Sequence, residues 1–421
     1  MTLLQRLVRR VPTIASSSVS LALDIGTEYA KALVFEIDDE DHAVVTGVGR
    51  RRQGLSHMQS GTVADIPAVV ENCRAALDDA EAMAERHCVK VVVGIAGELV
   101  KGFTTTRSVE RKRPDSSVTH SELERLLEEV EQDASAEAQR TITWETGLPN
   151  VDVRLVHASV AGCAIDGYPV TNPVGFQGRH LRVTVFNAYA PLVHLGALES
   201  VVDQLGLKLT RVVAEPYAVA RSIAGEQVGQ SGALFIDVGG GTTDVALVRG
   251  GSVEGTRMFA LGGRAFSKSL ADRLDISFDE AEAVKIGHAQ GQQIEDADEV
   301  TLIIGEDVAV WAAGVELVLE EFGKQGLLPG RIELCGGGAA LPEIRAALEA
   351  DDFGVDLPFA RRPQISMMDP SSVSDVHDST GLLVDQQDVT PMALACQALE
   401  ESMPQEPLDA ALQRVLRGMR V

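Results

Sequence analysis

The chain has 421 residues, a length that suits two lobes better than one simple hydrophobic core. Hydrophobic residues make up 45% and charged residues 24%, which is the composition of a globular protein. The formal net charge of -25 argues against nucleic acid as a partner, and it predicts that a membrane contact would need a local basic element.

The cysteines and the hydropathy exclude further classes of protein. The five cysteines are far apart and form no Cys-x-x-Cys pair, which indicates reduced thiols in a cytosolic protein rather than a zinc site or a disulfide framework. No apolar run approaches the roughly 18 residues that a membrane-spanning helix needs.

Residues 1–18 are predicted to form a basic amphipathic helix and a linker, because Pro12 ends the helical pattern. At ~100° per residue, one face of the helix is apolar and the other is basic. The apolar face has Leu3, Leu4, Leu7, Val8 and Val11, and the basic face has Arg6, Arg9 and Arg10.

Alternating strands and helices predict a first-lobe core in residues 19–88 and 179–225, opened by the buried strand Val19–Asp24. Residues 89–178 differ in character, because they contain an acidic helix at Thr119–Ala138 and prolines that separate short strands. We therefore predict that they form an inserted subdomain.

The second-lobe core is predicted in residues 226–256 and 323–402, with a smaller subdomain in residues 257–322 between them. Residues 361–390 are rich in Ser, Asp and Pro, which predicts a surface loop with one short strand at Gly381–Val384.

Residues 403–421 are predicted to form a second basic amphipathic helix. Such helices at the ends of an acidic chain favour contact with anionic lipid, and the alternative is that either helix packs on the core or on a neighbouring subunit. The apolar face has Leu408, Ala411, Leu412, Val415, Leu416 and Met419, and Arg414, Arg417 and Arg420 lie opposite.

Two similar turns each follow a buried strand that ends in an aspartate, Asp24 or Asp237. Glycines let backbone N–H groups approach phosphate oxygens closely, and threonine hydroxyls donate further hydrogen bonds. The aspartates would repel phosphate unless they held magnesium and its waters. The predicted phosphate contacts are Gly26, Thr27, Lys31, Gly239, Gly240, Gly241, Thr242 and Thr243.

One such turn alone is more often an ordinary hairpin, and the run Gly239–Gly241 also fits a flexible turn or a dinucleotide loop. Asp237 precedes these glycines inside the strand and no helix opens directly after them, which disfavours the dinucleotide loop. The repetition of the turn in the two halves of the chain favours a clamp on the β- and γ-phosphates.

Two further segments are predicted to hold the nucleoside. The first is a strand-to-glycine turn that opens a helix at Pro342 and contains Gly336, Gly337 and Gly338. The second is a helix in which Glu282 and Lys285 lie one turn apart, although an exposed salt-bridged pair would have the same spacing.

Glu215 ends a strand immediately before the predicted second lobe, and Pro216 opens a helix there. A carboxylate at such a hinge could orient the attacking water, which makes Glu215 a catalytic candidate beside Asp24 and Asp237. The alternative is an acidic residue that complements the dipole of its helix.

These five elements, in this order, resemble the phosphate-1, connect-1, phosphate-2, adenosine and connect-2 signatures of the actin-like ATPases. The resemblance covers nearly all of residues 19–400. It implies an α/β, two-lobed actin-like fold of two RNase-H-like domains, with ATP and magnesium between the lobes. It also implies a slow ATPase rather than a metabolic enzyme.

Within this superfamily the chain resembles the bacterial division family FtsA. The stretch Asp166–Gly178 is similar to the turn that ends FtsA subdomain 1C, which implies a 1C-like insertion between 1A-like, 2A-like and 2B-like parts. Thr256–Leu274 resembles the phosphate-to-adenosine segment and implies cofactor contacts at Gly262 and Gly263. The chain departs from FtsA at Ser267–Ala271 and in a short linker before its last helix.

The FtsA resemblance implies a filament-forming adaptor at the division site, peripheral on the inner face of the cell membrane. It would link FtsZ, or an equivalent polymer, to anionic lipid through residues 1–12 and 406–421. The pilus-assembly family PilM shares most of the signatures, so a PilM-like cytoplasmic platform stays an alternative. A small-molecule kinase of the same superfamily is the alternative of another class.

Overall fold

The computed structural model of the protein describes residues 19–149, 151–223, 231–399 and 407–419. Within these ranges the chain folds around one six-stranded sheet and one nine-stranded sheet. No helix among these residues combines the length and the apolar character needed to cross a bilayer. The predicted N-terminal helix and its linker, residues 1–18, lie outside the described residues.

The secondary structure elements are as follows. The strands are β1 Ser20–Ile25, β2 Tyr29–Ile37, β3 Ala43–Arg52, β4 Met58–Gln59, β5 Thr62–Val63, β6 Lys90–Ile95, β7 Lys101–Glu110, β8 Val153–Ile165, β9 Tyr168–Pro169, β10 His180–Pro191, β11 Lys208–Ala214, β12 Ala233–Val238, β13 Thr243–Arg249, β14 Ser252–Phe259, β15 Arg331–Cys335, β16 Gln364–Met367 and β17 Val376–Asp378. The α-helices are α1 Ile66–Ala84, α2 His120–Thr146, α3 Leu192–Leu205, α4 Glu215–Ile223, α5 Gly263–Leu274, α6 Phe278–Ala289, α7 Ala297–Gly323, α8 Pro342–Glu349, α9 Val389–Leu399 and α10 Pro407–Met419.

The first lobe is built on the six-stranded sheet, in the order β11-β6-β1-β2-β3-β17. Helix α1 packs so closely on β3 that backbone meets backbone. A Cβ at Gly49 would lie 1.8 Å from the carbonyl oxygen of Ala76, and one at Gly47 would lie 2.0 Å from that of Ala80. Glycine at these two positions therefore sets the distance between the helix and the sheet.

The second lobe is built on β12 to β16, which form one end of the nine-stranded sheet. The long helix α7 buries Trp311 completely in its core. The indole Nε1–H donates to the hydroxyl of Thr243 over 2.9 Å, and that hydroxyl donates to the carbonyl of Leu261 over 2.7 Å. This chain of hydrogen bonds ties α7 to the start of β13.

Helices α4 and α9 lie between the two large sheets. Helix α9 packs on α4, β1 and β2, and β17 pairs with β3, so both α9 and β17 belong to the first lobe. The predicted second-lobe range 323–402 was therefore too long. The reason is that α9 is apolar on nearly all sides, which suits a position between layers rather than on the surface. The predicted strand Gly381–Val384 is irregular chain, and β16 and β17 lie elsewhere in the predicted loop.

The inserted subdomain consists of α2 and the strands β7, β10, β8 and β9, in that sheet order. Its boundaries differ from the predicted 89–178. Strand β6 pairs with β1 and β11 in the first lobe, whereas β10 pairs with β7 and β8 in the subdomain. A buried apolar strand has the same pattern in either sheet, so its sequence does not reveal its partners.

The inserted subdomain contacts both lobes. Strand β7 joins β14 of the second lobe through only two residue pairs, Gly255 with Phe103 and Thr256 with Gly102. On the other side, the hydroxyl of Tyr217 on α4 donates to Ser159 on β8 over 3.0 Å. The subdomain is therefore attached to the helix that begins at Glu215.

The C-terminal helix α10 packs on the inserted subdomain. Five of its apolar residues are no more than 8% exposed, and they join the core that α2 and β8 form. The structure thus differs from the expectation of a lipid-facing helix and agrees with the alternative, packing on the protein. The buried residues are Leu408, Ala411, Leu412, Val415 and Leu416.

The contact between α1 and β3 can be tested by substitution. We expect Gly49→Ala to destabilise the protein by about 1–3 kcal/mol, because a methyl group would displace α1 from the sheet. Gly305→Ala is the matched control: it lies within α7, has no atom within 4 Å of the added Cβ, and should be neutral or stabilising. Urea unfolding measures both, and equal stability of the two variants would contradict the prediction.

Candidate functional site

A cleft of about 470 Å³ lies between the two lobes and is lined by both of the predicted glycine turns. Most of the residues predicted from the sequence line it, whereas Gly241, Thr243 and Gly262 do not. The predicted residues that line the cleft are Asp24, Gly26, Thr27, Lys31, Glu215, Asp237, Gly239, Gly240, Thr242, Gly263, Glu282, Lys285, Gly336, Gly337 and Gly338.

The first turn is the hairpin between β1 and β2. Asp24 is the penultimate residue of β1 and is 4% exposed. Its carboxylate accepts a hydrogen bond from Lys31 Nζ at 3.1 Å across the pair of strands. The same ammonium donates to the carbonyl of Gln387 over 2.7 Å. Lys31 on β2 therefore connects β1 to the segment that precedes α9 at the base of the cleft.

The second turn is the hairpin between β12 and β13. Asp237 near the end of β12 accepts a hydrogen bond from the hydroxyl of Thr390 at 2.5 Å. Behind it, a Cβ at Gly336 would lie 2.1 Å from the Asp237 carboxylate, so the third glycine turn packs directly on this aspartate. Thr390 and its contact were not predicted, because a threonine within an apolar helix gives no sequence signal.

The two hairpins touch across the lobe interface. A Cβ at Gly240 would lie 2.9 Å from Cβ of Glu28, and one at Gly241 would lie 2.6 Å from the hydroxyl of Thr27. Gly241 thus serves the contact between the hairpins rather than the lining of the cleft. Because the glycines of the second hairpin have no side chains, backbone groups from both lobes can face the same small ligand.

Four carboxylates lie around this contact, and Asp24, Glu215 and Asp244 are buried whereas Asp237 is half-buried. Burial raises the pKa of Glu215 well above the usual range of a glutamate, and the charge of Asp24 adds to the shift. Burial also raises the pKa of Asp244 well above its usual range, with a further contribution from Asp237. Burial is likewise the main cause of the raised pKa of Asp237. The site therefore favours the arrival of positive charge.

Asp244 was not among the predicted site residues, although it ends the second glycine motif. Its Oδ1 atom is buried and has no hydrogen-bond partner in the described part of the protein. Among the described residues, no three carboxylate, thiol or imidazole groups converge as the ligands of a metal ion. A magnesium ion at these aspartates would take its other ligands from phosphate and water, as such ions commonly do.

The opposite side of the cleft is formed by α5, α6 and the third glycine turn. Lys285 Nζ donates to Glu282 over 2.7 Å and to the carbonyl of Gly263 over 2.9 Å. The Glu282–Lys285 pair therefore joins α6 to the start of α5. Gly262 packs against the second hairpin, where a Cβ would lie 2.6 Å from the carbonyl oxygen of Gly239. Apolar lining from Ile286, Ala289 and Leu341 was missed, because apolar helix residues look like core.

An arginine bridge across the cleft was also missed. Arg264 on α5 donates from Nε to Glu28 over 2.7 Å, and Arg52 donates to the same carboxylate over 2.6 Å. Glu28 lies in the first hairpin and Arg264 in the second lobe, so this bridge joins the lobes. Glu28 and Arg264 are 236 positions apart in the sequence, so no local pattern links them.

The family model Cell division protein FtsA matches residues 234–376. The Cell division protein FtsA of Neisseria meningitidis is 30% identical over 266 residues, which are 63% of this chain and 60% of that protein. The one of Bacillus subtilis is 26% identical over 384 residues, 86% of this chain and 82% of that protein. The resemblance to FtsA is confirmed. The match with the Neisseria FtsA spans less than two thirds of that relative.

The fold prediction is confirmed as well. The solved PilM-PilN type IV pilus biogenesis complex has a chain that superposes with a TM-score of 0.65 at 18% sequence identity. The superposition covers 90% of this chain and 98% of that one. It shows the two-lobed actin-like α/β fold that this FtsA-like protein shares with PilM.

Thr243 is a structural residue, in contrast to its predicted contact with phosphate. We expect Thr243→Val to cost about 1–3 kcal/mol, because it leaves the buried Trp311 Nε1–H and the carbonyl of Leu261 without their partner. Urea unfolding of Thr243→Val, Trp311→Phe and the double variant tests this. If the hydroxyl bonds the indole, the double variant loses less than the sum of the single losses, and strictly additive losses would contradict the assignment.

Proposed function

We propose that this FtsA-like protein binds ATP with magnesium between its lobes, assembles into filaments, and links FtsZ to the cytoplasmic membrane at the division site. The observation that carries the proposal is the contact of two glycine hairpins with Asp24 and Asp237 at their bases, in a chain similar to FtsA along most of its length.

The residues of the cleft fit a nucleotide triphosphate and a divalent cation. Bound magnesium would neutralise phosphate charge and polarise the terminal phosphoryl group. Asp24 and Asp237 would hold the ion through its waters, and the unpartnered Oδ1 of Asp244 offers a further acceptor. The glycine backbones would surround the phosphates, and Lys31 would supply a positive charge beside them.

Glu215 is the proposed positioning group for the attacking water. Its raised pKa means that it holds a proton more readily than an exposed glutamate, so arriving positive charge would favour its ionised form. If Glu215 ionises only when the cation and the nucleotide are bound, slow hydrolysis is the expected result. The cleft walls between α6 and Leu341 would hold the base of the nucleotide against apolar surface.

If Asp24 and Asp237 hold the magnesium ion, replacing both should reduce the dependence of ATP binding on magnesium. We expect Asp24→Asn with Asp237→Asn to weaken binding of magnesium–ATP at least about tenfold, because the ion loses two charged protein acceptors. Binding of ATP in EDTA should not weaken, since two repelling charges are removed. The control Asp272→Asn with Asp356→Asn makes the same charge change at exposed sites. Calorimetry that finds the same loss with and without magnesium would contradict the clamp.

The adaptor role predicts that the protein brings FtsZ to lipid. With ATP present, cognate FtsZ should float with vesicles that contain phosphatidylglycerol only when this protein is added. A variant without residues 1–12 and 406–421 should leave FtsZ in solution, because the basic segments at both ends are removed. If the full chain floats and FtsZ does not, the adaptor role is wrong, although the membrane contact would stand.

A further inference from the structure

We propose that the surface formed by α2 and β8 of the inserted subdomain is a docking site for the chain's own C-terminal helix, and that this site competes with anionic lipid for the same face of that helix. The inference rests on the membrane contact of the proposed function. It adds that the docked helix is a state in which the C-terminal membrane contact is switched off.

The apolar face of the docked helix is buried against the inserted subdomain. Leu412 is fully buried, and its neighbours Leu408 and Val415 are no more than 5% exposed. These side chains share one core with Leu123, Leu126, Leu127 and Val130 of α2. A helix inserts into the surface of a bilayer through such an apolar face, so docking and insertion exclude each other.

Two polar contacts fix the docked helix, one in its first turn and one near its middle. In its first turn, the carboxylate of Asp409 accepts a hydrogen bond from the backbone N–H of Val160 on β8 at 3.1 Å. About one and a half turns later, Arg414 donates to Glu124 on α2 over 2.8 Å. These directional contacts fix the position of the helix along the subdomain, which hydrophobic burial alone would not do.

The docking surface offers the helix the same chemistry as an anionic membrane. Helix α2 places apolar residues beside an acidic rim that includes Glu124 and the exposed Glu128. A bilayer with anionic headgroups likewise combines an apolar layer with a negative rim. A basic amphipathic helix of 13 residues is marginal alone in water, so it requires one of the two surfaces.

The test changes the docking surface and leaves the helix itself intact. Glu124→Arg replaces the attraction for Arg414 with repulsion. Glu137→Arg makes the same charge change at an exposed site about 20 Å further along α2, which controls for altered attraction to lipid. Both full-length proteins, the wild type, and versions lacking residues 407–421 are floated with vesicles of phosphatidylglycerol and phosphatidylcholine.

We expect Glu124→Arg to raise the vesicle-bound fraction about threefold over both wild type and Glu137→Arg. The gain should disappear when residues 407–421 are removed. Without vesicles, hydrogen exchange of residues 407–419 should be faster in Glu124→Arg. The charge swap Glu124→Arg with Arg414→Glu should restore slow exchange, which shows that the subdomain is still folded.

Equal vesicle binding of Glu124→Arg and Glu137→Arg, despite faster exchange in the former, would overturn the competition. Unchanged exchange in Glu124→Arg would overturn the role of the Arg414 contact in docking. If the released helix never binds vesicles in any variant, the C-terminal membrane contact of the proposed function fails, and the competition fails with it. Exchange and flotation therefore distinguish the two failures.

Discussion

The close contact of two glycine hairpins determines most of what this structure can do. At Gly240 and Gly241 the backbone of the second lobe approaches the first hairpin so closely that no side chain fits between them. The approach brings Asp24 of one lobe near Asp237 of the other, and the pKa of Asp237 is raised by burial and, to a lesser extent, by the charge of Asp24. Lys31 offsets part of this repulsion. A cation bound at this contact, together with a polyanion, would therefore stabilise the closed arrangement of the two lobes.

The helices between the sheets extend this constraint to the rest of the molecule. Helix α4 begins at Glu215 in the cleft, and Tyr217, two residues later, contacts β8 of the inserted subdomain. Helix α9 returns the chain to the first lobe after the second lobe is complete. The cleft and the subdomain that carries the C-terminal helix are therefore parts of one packed unit.

The sequence predicted what depends on short-range pattern. The two Asp–Gly–Thr turns, the third glycine turn and the Glu282–Lys285 pair are local motifs, and all of them meet at one cleft. Residues with a role set by distant partners were missed or misassigned. Thr243 follows Thr242 directly, yet it faces the core of the second lobe. Its partner there, Trp311, is 68 residues away in the sequence, so no local pattern indicates the contact.

The same limit applies to whole elements. Strand β10 and helix α9 have apolar patterns that fit more than one neighbour, so their membership of a lobe appears only in three dimensions. The C-terminal helix is a sharper case, because a basic amphipathic pattern fits lipid and an acidic, apolar protein surface equally well. The site assignments toward ATP stay predictions until the nucleotide experiments are done.

The seam between β14 and β7 has a mechanical consequence. The inserted subdomain continues the sheet of the second lobe although its chain departs from the first, and only two residue pairs close that sheet. Gly102 and Gly255 lie in this seam, where a Cβ at Gly102 would fall 2.1 Å from the hydroxyl of Thr256. If the lobes rotate apart, the shear concentrates on these few hydrogen bonds, since every neighbouring ladder is longer. A rotation of the lobes would therefore strain this seam before it strained the longer ladders on either side.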